Sequence, residues 1–445
     1  MKIIIGGAGE VGTHLSKLLS REDQDIILMD SDDEKLNFPN NQEIMTVVGN
    51  PTSIADLKSA GIKDADMFIA VTPEESTNMT ACMLAHTLGA QRTIARIDNN
   101  EYLIPRNVEF FSQLGVDSLI CPETLAAEEI ASALRQPWTR QWWDMAHERL
   151  ILLGAKIRQN AAIVNKYLYE LGGGENRMYH IVAIKRNQMT IIPRGNDQIL
   201  NGDIVYFSTT KEHIDEIKRL AGKEDFKIEK ITIMGGSRIA LRVCERIPHH
   251  VSIKLIEIDK EKSFRLAEKV SANVMVLNGD GRNTDLLIQE NIKNCDAFIA
   301  LTGNSEANIL ACVAAKSFGV PKTIAEVENL DYIQMAEKLD IGSIINKKLI
   351  ASSHIYRFLL QADVSTVKCL AFANADVAEL VARYDSKITR KPVKDLRLPQ
   401  DLTLGGLIRE GEAQIIDGST QIQAGDHVLV FCLNTAMRKI EDYFN

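Results

Sequence analysis

Lys2–Gly12 (KIIIGGAGEVG) and Lys230–Ala240 (KITIMGGSRIA) each run from a β-branched stretch directly into a glycine turn. The correspondence continues in the same order. Asp64–Thr72 (DADMFIAVT) is answered by Asn294–Thr302 (NCDAFIALT), and Thr80–Ala85 (TACMLA) by Leu310–Ala315 (LACVAA). Gly7 and Gly235 are 228 residues apart, while Asp66 and Asp296, and Thr72 and Thr302, are each 230 apart. An offset this constant over a long stretch means that a whole fold has been duplicated, not that a short motif recurs.

Each copy alternates strand and helix. In the first, strands are expected at Lys2–Ile5, Asp25–Met29, Ile44–Val48, Met67–Val71 and Thr93–Ile97, with helices beginning near Val11, Asp33, Ser53, Ser76 and Glu101. The strands are short apolar runs without alternation, as expected when helices cover both faces of a parallel sheet. After each copy the chain shifts to short strands with turn signals: Ile163–Leu171 is answered by Ile388–Leu396, and Asn201–Phe207 (NGDIVYF) by Ala424–Phe431 (AGDHVLVF). The chain therefore reads as α/β, with two Rossmann-like, doubly wound parallel-sheet domains (1–135 and 226–360). Each is followed by a small α+β domain (136–225 and 361–445). Arg135–Trp143 (RQPWTRQWW) holds all three tryptophans at the first junction, where they anchor either an interdomain contact or the linker itself.

Composition removes several classes. A net charge of −9 and the lack of any long Lys/Arg block argue against a nucleic-acid surface. The apolar runs are of strand length, far short of the ~20 residues that span a bilayer, and with Met1 leading straight into a strand no signal peptide is expected. The seven cysteines form no CxxC pair, which fits a reducing cytoplasm. Cys82 and His86 lie four apart on an expected helix but have no further ligand pair near them, so no metal site is expected.

Gly7-Ala8-Gly9-Glu10-Val11-Gly12 is a GxGxxG turn between strand and helix. The first glycine permits the tight turn, the second lets the backbone approach a pyrophosphate, and the third lets helix pack on strand. Free amides and the positive end of the helix dipole then receive the phosphates. Asp30, 18 residues beyond Gly12, stands where a ribose-binding acid belongs. Its charge disfavours a 2′-phosphate, so NAD(H) or an adenine nucleotide (ATP or ADP) is the expected ligand. Gly49, Asn50, Thr72, Asn78 and Arg96 are expected to line the same crevice, at the carboxyl ends of the strands. In the second copy the turn reads Gly235-Gly236-Ser237-Arg238-Ile239-Ala240, and Glu257 takes the acid position. Serine replaces the glycine that matters most for phosphate approach, so the second site is expected to be the weaker one.

These residues together carry a resemblance. The IIIGGAGEVG fingerprint, Asp30, the Gly49–Ser53 turn, the ADMFIAVT strand and the GDxV segment near the end of each small domain are similar to the Trk-system potassium uptake family, built from tandem regulator-of-potassium-conductance (RCK) modules. The resemblance spans essentially the whole chain. It implies a cytosolic gating subunit that binds NAD(H) and adenine nucleotides. Such a subunit would assemble as a homo-oligomeric ring and dock on a multi-pass, Trk-type potassium transporter at the cytoplasmic face of the inner membrane. Asn346–Leu360 and Cys121–Leu134 become its candidate crossover helices. The alternative is an NAD-dependent dehydrogenase, which needs an acid or base facing the nicotinamide. His147, His180 and His213 have no recognisable catalytic setting, and a Rossmann fold alone does not imply redox chemistry.

Overall fold

The computed structural model describes residues 1–20, 24–37, 44–145, 149–171, 177–187, 189–356, 364–370, 375–433 and 442–444. Met1–Ala126 together with a helix at Lys347–Tyr356 form one compact unit, and the remainder forms a second.

In the first unit, strands β1 (Lys2–Gly6), β2 (Asp25–Asp30), β3 (Ile44–Val48), β4 (Met67–Ala70), β5 (Thr93–Arg96) and β6 (Ser118–Ile120) make a parallel sheet of order β3-β2-β1-β4-β5-β6. Helices α1 (Glu10–Ser20), α2 (Ile54–Ser59), α3 (Glu75–Leu88) and α4 (Pro105–Gln113) cross between them, and α5 (Pro122–Arg135) leads out of the unit. Ile3, Ile4, Ile5, Phe68 and Ile69 are fully buried, because a sheet covered on both faces has no solvent side. The helix expected at Asp33 is a single 3-10 turn, Asp33–Leu36, capped by Asp32. The one expected at Glu101 is a 3-10 turn, Asn100–Leu103, followed by α4, whose first residue is Pro105; a proline suits that position because its missing N–H would be unpaired there anyway.

The second unit opens with a small antiparallel sheet. Strands β7 (Gln141–Met145), β8 (Leu150–Lys156), β9 (Tyr179–Arg186), β10 (Met189–Ile191) and β11 (Ile204–Thr209) form an antiparallel sheet of order β10-β9-β11-β8-β7, with helices α6 (Leu168–Leu171) and α7 (Ile214–Leu220). Then come β12 (Lys230–Met234), α8 (Arg238–Arg246), β13 (Ser252–Glu257), α9 (Lys260–Ala267), β14 (Val274–Asn278), α10 (Thr284–Gln289), β15 (Ala297–Ala300), α11 (Ser305–Ser317), β16 (Lys322–Glu326), α12 (Leu330–Lys338) and β17 (Ser343–Ile345). They build a parallel sheet of order β14-β13-β12-β15-β16-β17, the same winding as in the first unit. Helix α13 (Lys347–Tyr356) follows β17 in sequence but packs on α1 of the first unit; the expected end of this helix at Leu360 lies outside the described residues. Strands β18 (Val364–Leu370), β19 (Ala375–Val381), β20 (Leu402–Arg409), β21 (Glu412–Ile415) and β22 (His427–Leu433) complete a second antiparallel sheet, order β18-β19-β22-β20-β21.

Ile163–Leu171 and Ile388–Leu396, expected in strand-rich segments, are turns with a short helix and 3-10 turns respectively. The glycine-aspartate turns form as expected. Gly202 and Gly425 have φ of 95° and 88°, and Asp203 and Asp426 accept paired hydrogen bonds from Arg186 and Arg409. The tryptophans divide by strand alternation. Trp142 joins Trp138 in the core of the first small domain, whereas Trp143 faces the other way and stacks on Tyr206 at 6.4 Å. Tyr206 in turn meets Phe431, so the two small sheets share one apolar layer. His180 sits at that layer, its Nε2 3.1 Å from Thr403 Oγ1, and burial lowers its pKa to about 4. It is a neutral packing residue there. His147 lies outside the described residues.

Candidate nucleotide-binding site

Strand order reverses between β1 and β4, and the crevice above this point is where doubly wound sheets take their ligands. The glycine turn leaves β1 there. Gly7 has φ of +113°, and a Cβ on it would meet the Thr72 backbone nitrogen at 2.9 Å. A Cβ on Gly12 would overlap the Gly7 carbonyl oxygen. The fold itself therefore demands glycine at 7 and 12. Gly9 differs: a Cβ built on it meets nothing within 4 Å, and its φ is not positive. The Thr13 N–H donates to the Gly9 carbonyl at 2.9 Å, so the amides of Gly9–Gly12 belong to the helix end that lacks intrahelical acceptors.

Asp30 ends β2 beside this turn. One of its oxygens accepts from the Ala8 N–H at 2.7 Å and the other from the Asp32 N–H at 3.0 Å, with Lys35 Nζ 3.9 Å away. These bonds fix the carboxylate in plane and leave each oxygen a further lone pair. Val11 packs in the core behind the turn.

The other expected residues fall at the strand ends, with differing roles. Gly49 donates its N–H to the Asp30 carbonyl at 2.9 Å, and Asn50 Oδ1 accepts from the Thr52 N–H and hydroxyl, shaping the start of α2. Asn78 is a clasp. Its Oδ1 accepts from the Thr72 N–H (2.8 Å) and hydroxyl (2.7 Å), and its Nδ2 donates to the carbonyls of Thr72 (3.0 Å) and Arg96 (2.9 Å). All four of its bonding positions are used within the protein, so Asn78 holds the crevice wall and has no donor to spare for a ligand. Arg96 lies 3.7 Å from both Asp98 and Glu123.

Sequence reasoning missed one residue. Lys348 of α13, 10 % exposed, places Nζ 2.7 Å from Glu10 Oε2 in the first turn of α1. The partners are far apart in sequence and no spacing rule links them.

The second copy keeps the frame and alters the turn. Gly235 has φ of +97°. Asn308 repeats the clasp on Thr302 and on the carbonyl of Glu326, the residue matching Arg96. Ser237, however, is the N-cap of α8, its hydroxyl accepting from the Ala240 N–H at 3.3 Å. This bond occupies one of the free amides, and Arg238 and Ile239 begin the helix behind it. A Cβ on Gly236 would overlap Leu266, which lies buried against the turn. Glu257 accepts from the N–H groups of Gly236 and Asp259 at 3.0 Å each and pairs with Lys262 at 2.7 Å. Burial opposes its ionisation, but these partners outweigh it and hold the carboxyl below its usual range.

Comparison with known proteins follows the same four-part order. The TrkA-N domain family matches residues 3–122 and 231–347, and the TrkA-C domain family matches 152–222 and 377–445. The chain is 32% identical over 441 residues to the Trk system potassium uptake protein TrkA of Haemophilus influenzae, covering 97% of this chain and 95% of that one. It is 32% identical over 444 residues to the protein of the same name from Vibrio alginolyticus, covering 98% and 96%. Among solved structures, the GsuK RCK domain superposes with a TM-score of 0.61 at 15% identity, covering 99% of this chain and 94% of that one. The GsuK channel bound to NAD gives 0.61 at 15% identity, covering 100% and 78%.

Proposed function

The chain belongs to the Trk-system potassium uptake TrkA family, and from that premise we propose that it is a nucleotide-sensing regulatory subunit which gates a Trk-type membrane potassium transporter. It is not a dehydrogenase: its relatives are named as potassium uptake proteins, and its fold neighbours are RCK domains. The first glycine turn takes NAD(H) or an adenine nucleotide, ATP or ADP. Its free amides receive the phosphates and Asp30 accepts from the ribose hydroxyls. Gly49, Asn50, Thr72 and Asn78 shape the crevice, Arg96 offers a cation at its rim, and Glu10 orients Lys348. The solved GsuK channel bound to NAD supports this choice of ligand.

One observation carries the reading. Gly9 is the glycine of the fingerprint that the protein's own packing does not require, since its Cβ would project into open space. A bare backbone there makes room for a close-approaching group such as a pyrophosphate. The second turn, with Ser237 capping its helix and Leu266 against Gly236, is the weaker site.

The module boundaries 1–135, 136–225, 226–360 and 361–445 are part of the proposal. So are a homo-oligomeric ring and a position on the cytoplasmic face of the membrane. Among the described residues no helix is long and apolar enough to cross a membrane, so contact with the transporter is made by docking. Calorimetric titration of the full chain with NADH and ADP tests the ligand. Asp30→Ala lowers affinity at least about tenfold, because charge-assisted bonds to a ribose contribute about 1.5 kcal/mol or more. Unchanged affinity removes the ribose assignment.

A further inference from the structure

Away from both glycine turns, the second unit holds a cavity of about 740 Å³ between the first small sheet and the end of the second parallel sheet. That volume lies within the range of small-ligand sites. Its walls carry an excess of positive charge on a chain whose net charge is −9.

The excess can be traced pair by pair. Arg186 is matched by Asp203 through two hydrogen bonds, and Lys185 by Glu337 at 2.5 Å. Asp340, held at φ of +53° just after α12, serves three cations at once: Arg140 on one carboxylate oxygen, with Arg158 (2.5 Å) and Lys316 (3.3 Å) on the other. Among the described residues one carboxylate thus serves three cations, of which Arg140 lines the cavity. Lys156 and Lys338 also line the cavity, and among the described residues neither forms a salt bridge. Lys322 is buried and, among the described residues, donates to neutral oxygens alone, Thr139 O at 2.8 Å and Ser343 Oγ at 3.1 Å.

We propose that this cavity is a second anion site, separate from the glycine turns, which takes a small molecule bearing a polyphosphate group. Arg140, Lys156, Lys185, Arg186 and Lys338 line the cavity against Asp203, Glu337 and Asp340, an excess that phosphate oxygens would balance. A single monoanion would leave half of that excess uncompensated, whereas a polyphosphate balances it. The ionisation of the cluster agrees: burial lowers Lys322 to about 7 and Lys223 to about 8, with the neighbouring Arg140 and Arg158 adding to the effect. Burial and the neighbouring cations thus both oppose added positive charge here.

The test titrates the full chain with inorganic tripolyphosphate at physiological salt, beside a Lys156→Gln/Lys338→Gln double variant. These two side chains brace no carboxylate, so the variant keeps its fold, which circular dichroism and melting verify. The site is expected to saturate at one equivalent in the parent chain and to weaken at least tenfold in the variant. A competition arm identifies the source: displacement of tripolyphosphate by ATP assigns the site to a nucleotide, and failure to displace assigns it to free polyphosphate. A chain that shows no saturable binding, or a variant that binds as well as the parent, overturns the proposal and leaves the cluster as a brace between domains.

Discussion

The ammonium of Lys348 lies 2.7 Å from the carboxylate of Glu10, joining α13 to the first turn of α1. Glu10 is largely exposed, so the pair itself adds only about 0–1 kcal/mol to stability. Its value lies in position. A cation held at the helix end proposed to receive phosphates would strengthen anion binding there. Lys348→Met is therefore expected to weaken NADH binding by about three- to tenfold with little change in melting temperature, as one charge at partly solvated range contributes about 1 kcal/mol. Calorimetry and a thermal melt of the same sample check both halves of the statement.

The three glycines of the first turn separate folding from binding. Gly12→Ala places a methyl on the Gly7 carbonyl, and Gly7→Ala strains a φ of +113°, so each is expected to cost more than about 2 kcal/mol of stability. Gly9→Val has open space and should unfold like the parent chain while losing nucleotide binding. Denaturant melts and titrations on the three variants check the division. Loss of stability in Gly9→Val would place the need for glycine in the fold instead.

Stability should respond to pH at two separate places. Lys322 is lowered to about 7 by burial and by Arg140, against about 10.4 for an unfolded lysine. Between these values the unfolded chain holds the extra proton, so stability rises as pH goes from 7 to 9, and Lys322→Met flattens the rise. Asp340 acts with the same sign at lower pH. Burial alone would raise its pKa, but Arg140, Arg158 and Lys316 bring it down to about 2. Its contribution is complete above about pH 4 and is lost as pH falls from there toward 2. Denaturant titrations at pH 3, 5, 7 and 9 resolve both limbs.

Much of this architecture is legible from the chain, for local reasons. A β-branched run entering GxGxxG fixes β1, the turn and α1 within a dozen residues, and the repeat at Lys230 fixes the same for the second copy. What the chain conceals is what tertiary packing decides. Asp33–Leu36 carries helix-start chemistry but closes after one 3-10 turn. Asn78 looks like a crevice residue, and only the structure reveals that both ends of its amide are consumed by Thr72 and Arg96. Ser237 reads as an obstruction in sequence; in place it is a helix cap, and Leu266, far along the chain, shares the work of closing the turn. Lys348 with Glu10, and Asp340 with Arg140 and Arg158, join residues at least 182 positions apart, where no periodicity applies.

Potassium flux through the Trk-type membrane partner in proteoliposomes, measured with and without NADH or an adenine nucleotide, tests the central claim most directly. A coupling of about 1–3 kcal/mol between nucleotide and gate corresponds to a five- to 150-fold change. The parent chain is expected to change the flux when nucleotide is added, and Gly9→Val to bind the membrane partner yet remain insensitive to nucleotide. Flux that ignores nucleotide in the parent chain, or sustained substrate-dependent NADH oxidation by the isolated protein, would contradict the account.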